Sequence, residues 1–360
     1  NTWIYKTGTK NDKWDSLETY TPINRDYINN IANIKSPVLI ENSWQDYFFN
    51  ASGVYNALPL IPVKTMAYIG AVVGHGGDTS ATENAWHMNF FNDWFYYFLY
   101  GVNNGLFTTR PRYHFAYTTY PRVNNMWSFE HDSSFVFPPQ GFNPVRYYFA
   151  NDKNLNTAVI QSPTREVSFQ NKVIDKKLTM QQAVDYEFTG ATFDSKFKKD
   201  TIYFETAPFT SNTKLFGTPK LTLKYRSNAN ICQFNLQISE VTSSGQVNMI
   251  SRINYTDRKY TPNINKTAVI NGISFAHSFQ KGSKIRIVVT NLDTHWQDYL
   301  FLRTNPFVLP VLVKSTNTII LNSSYIELPL SSTVTASREN LNSDNISTDD
   351  DTQLYQNSPN

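Results

Sequence analysis

The chain has 360 residues, 40% hydrophobic and 15% aromatic, and a formal charge of +3. That is enough apolar material for two domains, while the scattered Lys and Arg residues form no basic stripe for nucleic acid and no apolar run is long enough to span a bilayer. The single cysteine, Cys232, excludes an intramolecular disulfide framework and a multi-cysteine zinc site, and it is expected to act as a small buried hydrophobe.

Residues 1–36 are polar and aromatic without sustained periodicity and read as an arm leading into the first strand. The start at Asn1, without Met or a signal-peptide pattern, reads as a fragment or a processed chain. Pro37 to Ile40 read as a short buried strand, since proline is acceptable at a strand's first residue. Tyr47 to Leu58 read as a helix. Asp46 therefore stands at the carboxyl end of a strand, where open α/β sheets place ligands and catalytic groups.

Thr65 to Val73 ("TMAYIGAVV") read as the next strand, followed by the loop "GHGGDTSATE" and a long helix. Ser80 and Glu83 are spaced as in a capping box at that helix's start. Trp86, Phe90, Trp94 and Phe98 recur every four residues and build one apolar stripe. Gly101 is placed to end the helix. This β-α-β-α order is the grammar of a parallel sheet covered by helices.

After Arg110 the grammar changes. Short runs rich in β-branched and aromatic residues, "RYHFAYTTY", "LTLKYRS", "CQFNLQISEV", "KIRIVVTN" and "NTIILN", alternate with turn signals and predict an all-β sandwich. Residues 151–200 are polar and Lys-rich and read as long connections with a few strands. From Ser331 the composition turns to Ser, Thr, Asn and Asp, which predicts a disordered tail.

His75, in "VVGHGGD", falls on a glycine-flanked loop after the second strand. Adjacent parallel strands lie about 5 Å apart, so groups at their carboxyl ends can meet. An acid after one strand and a histidine after the next is the downstream half of the α/β-hydrolase order Ser…Asp…His. There the carboxylate holds one imidazole nitrogen and the other takes the serine proton. Singly, an Asp before a helix also reads as an N-cap, and a His among glycines as a loop residue. The placement alone leaves both readings open.

The stretches "IKSPVLIENSWQDYFF" and "KTMAYIGAVVGHGG" resemble the X-prolyl dipeptidyl-peptidase and cocaine-esterase family of serine hydrolases. In that family an I-x-x-P-V-L strand runs into a Trp-x-Asp that supplies the triad acid, and a G…H-G loop supplies the triad histidine. "FFNDWFYYFLYGVNNGL" and "PRYHFAYTTYPRVNNMWSFEHDSSFVFPP", with Trp127, are similar to the helix and jelly-roll lead-in that follow. "FETAPFTSNTKLFGTPKLTLKYRSN" and "FQKGSKIRIVVTNLD" are similar to the jelly roll itself.

The resemblance implies an α/β hydrolase fragment, a parallel sheet with helices, over residues 1–109. It implies an all-β jelly-roll sandwich over 110–330, before the tail at 331–360. It also implies acyl transfer to water through a serine acyl-enzyme, with Asp46 as the orienting acid and His75 as the general base. Family substrates are peptides with penultimate proline or small esters, and no cofactor is implied. The chain departs from the family at Asn42 and Ser43, where Gly-Gly is usual, and at Ala71 to Val73, where Gly-Pro-Trp is frequent.

No G-x-S-x-G occurs in the sequence. The nucleophile and the missing N-terminal half of the hydrolase domain are therefore expected upstream of Asn1, since Ser52 falls inside the helix after Asp46. No H-E-x-x-H or carboxylate cluster points to a metal. His87, on the long helix, reads as a helix-face residue, and His114, His131, His277 and His295 are weaker candidates. Trp44 reads either as packing on the catalytic loop or as core. The run "NLDTHWQDYLFLRTNP" reads as a sandwich-end loop or a ligand groove. The rival to the hydrolase reading is a jelly-roll binding module carrying a decayed hydrolase remnant.

Overall fold

A computed structural model describes residues 20, 27–45, 51–73, 81–123, 126–159, 165–173, 197–293, 308 and 310–331. Strands β1 (Val38–Gln45) and β2 (Thr65–Val73) pair in parallel, with Val38 opposite Thr65 and Gln45 opposite Val73. The second strand has the predicted bounds. The first runs beyond Ile40 through Glu41, Asn42 and Ser43, which have low strand propensity but are held in the ladder by β2. Between the two strands lie α1 (Ser52–Ala57) and a 3-10 turn at Leu58–Leu60. The first residues of the helix expected from Tyr47, 47–50, lie outside the described residues.

Both faces of this strand pair are covered. Leu39, Met66 and Tyr68 pack against Phe90 and Trp94 of α2 (Ala81–Leu99) and against Leu106. On the other face, Ile40, Trp44, Ala67 and Ile69 join the main core. Two-sided burial is why β2 reads as one unbroken apolar run. Phe98 completes the helix stripe against β2. Trp86 leaves it, remaining 36% exposed with its ring stacked on His131 at 4.2 Å. Gly101 takes φ +66°, and the Val102 N–H closes the helix end by donating to the Tyr96 carbonyl at 3.0 Å. Ser80 of the predicted capping box lies outside the described residues.

Strand β3 (Tyr113–Val123) joins the two parts of the molecule. It runs parallel to β2, with Ala67 opposite Tyr113, and parallel to β15 (Phe275–Phe279), with Thr118 opposite His277. Its outer partner is β4 (Met126–Ser134), which is antiparallel. The sheet continues through β10 (Thr213–Gly217), β18 (Tyr325–Ser331), β11 (Lys220–Ser227), β17 (Ser315–Ile320) and β7 (Glu166–Val173). A second, antiparallel sheet has the order β13 (Val247–Asp257), β12 (Cys232–Val241), β16 (Lys284–Thr290), β9 (Thr201–Glu205).

The two sheets close on one core. Leu215, Leu221, Leu223, Ile326 and Leu328 of the first sheet meet Phe204, Phe234, Leu236, Ile238, Ile287 and Val289 of the second. Burying each such side chain contributes about 1.5–3 kcal/mol before entropy is counted. The sandwich strands expected after Arg110 are present, and the described chain is mostly β with few helices. Cys232 is fully buried in this core. Ser331, where the disordered tail was expected to begin, is instead the last residue of β18, held opposite Phe142. Residues 332–360 lie outside the described residues, and no described helix is long and apolar enough to cross a membrane.

Candidate functional site

Asp46 and His75 both lie outside the described residues; the strands that precede them do not. Gln45 and Val73 are register partners at the carboxyl ends of β1 and β2. Asp46 follows the first by one residue, and His75 follows the second by two. The backbone thus delivers the two connections to one end of two neighbouring strands, about 4.8 Å apart.

The side chains flanking the first connection are tied to the sandwich. Trp44 is fully buried, and its indole N–H donates to the Ala116 carbonyl of β3 at 2.9 Å. Its ring meets Phe216 of β10 edge-on at 5.4 Å and Phe275 of β15 at 6.5 Å. This is the core role for Trp44. After the connection, Ala51 is buried in the same core, and Ser52 Oγ accepts from the Ser274 N–H at 2.8 Å. Tyr55 packs on Phe137 at 5.4 Å and on Phe216 at 6.0 Å. Ser52 lies within the helix, as the sequence predicted, and its hydroxyl docks that helix on the sandwich.

The remaining histidines sort by surroundings. His87 Nδ1 lies 2.7 Å from Glu41 Oε1, and its ring leans on Tyr68 and Phe91, in keeping with a helix-face residue. His114 forms one wall of a cleft of about 630 Å³, with Trp86, Asn89, Phe90, Asp93 and Arg110 around it. Burial pushes the His114 pKa down, against the raising effect of its contact with the Pro111 carbonyl, 2.9 Å from Nε2. Asp93 and Arg110 form an ion pair at the rim of this cleft.

Two buried polar networks were not found by sequence reasoning. His277, fully buried, places Nδ1 2.8 Å from Thr118 Oγ1 and Nε2 3.1 Å from Glu240 Oε2. Glu240 Oε1 accepts from the Ser283 hydroxyl at 2.6 Å. Burial pushes the Glu240 pKa up, but the His277, Ser283 and Gln280 contacts outweigh it and hold the carboxyl below its ordinary value. On the outer face of the second sheet, Asp293 accepts from Arg252 Nη1 at 3.0 Å, Gln237 Nε2 at 2.7 Å and Asn254 Nδ2 at 2.9 Å.

Asp293 opens the run read as a possible ligand groove, and in the structure it is structural glue. Residues 294–306 of that run, His295 included, lie outside the described residues. Glu240 lies near the end of β12, just after the register shift between Ile238 and Ser239 that the pairing with β13 shows. Among the described residues, no group of His, Cys, Asp and Glu is arranged to hold a metal ion.

Comparison with known proteins places this frame. A CocE/NonD family hydrolase from Staphylococcus aureus superposes with a TM-score of 0.64 at 14% identity, over 83% of this chain and 55% of its own. An aminopeptidase from a Thaumarchaeota archaeon does so with a TM-score of 0.61 at 13% identity, over 88% of this chain and 60% of its own. In sequence, the chain is 27% identical over 231 residues to a putative Xaa-Pro dipeptidyl-peptidase from Bacillus anthracis, covering 61% of this chain. The match spans 32% of that relative's length.

At these identities the solved structures share this chain's fold, a mostly β architecture with few helices. The chain belongs to the family of the X-Pro dipeptidyl-peptidase C-terminal non-catalytic domain, whose model matches residues 120–299.

Proposed function

We propose that the chain is the C-terminal portion of a serine hydrolase that cleaves peptides with penultimate proline or small esters. In this reading residues 1–109 are the end of the α/β-hydrolase domain and 110–330 the jelly roll. Asp46 orients the imidazole of His75, and His75 takes the proton of a serine supplied by the upstream half of the hydrolase domain. The observation that carries the reading is the parallel pairing of β1 with β2, with Gln45 opposite Val73. A carboxylate and an imidazole leaving two such strand ends can form the bond that fixes the histidine's tautomer and stabilises its protonated form.

The experiment uses the longer protein. A fluorophosphonate should label one serine upstream of Asn1, and His75→Ala and Asp46→Asn should each lower turnover by several orders of magnitude. The chain alone should remain unlabelled. Labelling of the chain alone, or full turnover in both variants, overturns the assignment. The second reading, a non-enzymatic binding module with a decayed hydrolase remnant, is favoured by one observation. The family match over residues 120–299 is to a non-catalytic domain and contains neither Asp46 nor His75.

A further inference from the structure

Residues 46–51 connect β1 to α1, and both ends of that connection are docked on the sandwich. On the near side, Trp44 is pinned by its hydrogen bond to Ala116 and by its contacts with Phe216 and Phe275. On the far side, Ser52 accepts the Ser274 N–H, and Tyr55 lies against Phe137 and Phe216. One side chain, Phe216, touches the rings on both sides. It is 1% exposed and cannot move without repacking its neighbours.

The next residue is fitted to the same purpose. Gly217 has φ +124°, and a Cβ there would lie 2.6 Å from Tyr55 Oη. Only glycine lets β10 pass this close beneath α1. These ties reach into β3, β10, β15 and the turn at Ser274. None of them uses α2, the helix covering the opposite face of β1 and β2.

We propose that the sandwich positions the connection that bears Asp46 by holding both of its ends, with Trp44, Tyr55 and Phe216 as positioning residues. The proposal rests on the hydrolase reading for its catalytic consequence, and on contacts within this chain for the clamp itself. It assigns a task to a domain class named non-catalytic. Releasing either end lets the carboxylate drift, and a displacement of about 1 Å at a catalytic group costs on the order of 100-fold in rate.

Two variants test it from opposite ends. Trp44→Phe keeps most of the ring but removes the N–H donor, and Tyr55→Leu removes the ring beneath α1. Hydrogen exchange on this chain reads the clamp without any catalysis. The amides of residues 46–51 should exchange at least about 10-fold faster in each variant, with β11, β12 and β16 protected as in the wild type.

In the longer protein, turnover per serine titrated with a fluorophosphonate should fall roughly 10–100-fold with KM little changed. The acidic limb of kcat/KM should move to lower pH, because a histidine without its carboxylate protonates less readily. Unchanged exchange at 46–51 in both variants overturns the clamp. Faster exchange with unchanged turnover per titrated site and an unmoved acidic limb overturns the positioning role. Loss of activity matched by loss of titratable sites reports misfolding in that variant, and the other variant then decides. If Asp46→Asn leaves turnover intact, it is the triad reading that fails, and the exchange result still decides the clamp.

Discussion

Replacing Glu240 with alanine tests the buried network that joins the two sheets. The carboxylate is fully buried, 3.1 Å from His277 Nε2 and 2.6 Å from the Ser283 hydroxyl; the Gln280 N–H, at 3.5 Å, adds little. Truncation removes the acceptor from both near groups in a place that water does not reach. Each lost acceptor costs about 1–3 kcal/mol, so Glu240→Ala should cost about 2–6 kcal/mol. That agrees with the roughly 3–5 kcal/mol for breaking a buried pair from one side. Glu240→Gln keeps a carbonyl acceptor and should cost less, about 1–3 kcal/mol.

The assay is urea unfolding followed by intrinsic fluorescence, comparing midpoints at unchanged slope. A double-mutant cycle with Ser283→Ala should show coupling of at least about 0.5 kcal/mol, because the two groups share one hydrogen bond. If Glu240→Ala costs less than about 1 kcal/mol, or adds independently to Ser283→Ala, the network does not carry the load assigned to it.

Acid should weaken the fold through the same groups. Burial pushes the carboxyls of Glu240 and Asp257 up, but the His277 and Ser283 contacts, and the Lys266 and Tyr225 contacts, outweigh it and hold both below their ordinary values. Their stabilisation is therefore present above the ordinary carboxylate range and is lost as pH falls through the lowered values. Glu240→Gln should flatten the fall in Tm between about pH 5 and pH 2, which calorimetry would show. Asp293→Ala should destabilise by about 3–5 kcal/mol, and Arg252→Met with Asp293→Leu by less, because both take the acceptor from Gln237 and Asn254 but only the first leaves a buried charge unpaired; urea midpoints check this. The Cys232 thiol, pushed up to about 12 chiefly by burial, should react with a thiol reagent only at the rate of global unfolding. Reaction faster than unfolding, timed by fluorescence, would refute its burial.

Some of this architecture was legible in the residues. β2 was found to its ends because burial on both faces leaves a continuous apolar run. Phe90, Trp94 and Phe98 were read as part of one apolar stripe and pack in the cluster with Met66 and Tyr68 of β2, whereas Trp86, one turn earlier in the same stripe, turns to His131. The extension of β1 through Glu41 to Ser43 was hidden, because its support comes from β2 and not from strand propensity.

The buried networks were hidden for another reason. Glu240 and His277 lie 37 residues apart, and Arg252 and Asp293 lie 41 apart, so no local period links them. Polar residues in a strand ordinarily mark a solvent face. Asp46 and His75 were picked out by their order after two strands. The structure contributes the register of those strands and the residues that brace them, and Trp44 acquired its role only once Ala116, Phe216 and Phe275 were seen around it.

The position of β3 bears on how such chains can be recombined. A graft made at the change of sequence grammar near Arg110 would cut between β2 and β3, which share one ladder. The newcomer would have to reproduce, along the one edge that faces away from β4, the parallel register of Ala67 with Tyr113 and then of Thr118 with His277. A slip of one residue against either neighbour would turn every side chain of β3 to the opposite face. It would also withdraw the Ala116 carbonyl from the indole of Trp44. A workable exchange between relatives therefore has to move β1 through β3 together with β10 and β15 as one block. Insertions should be tolerated outside that block before they are tolerated at the apparent seam.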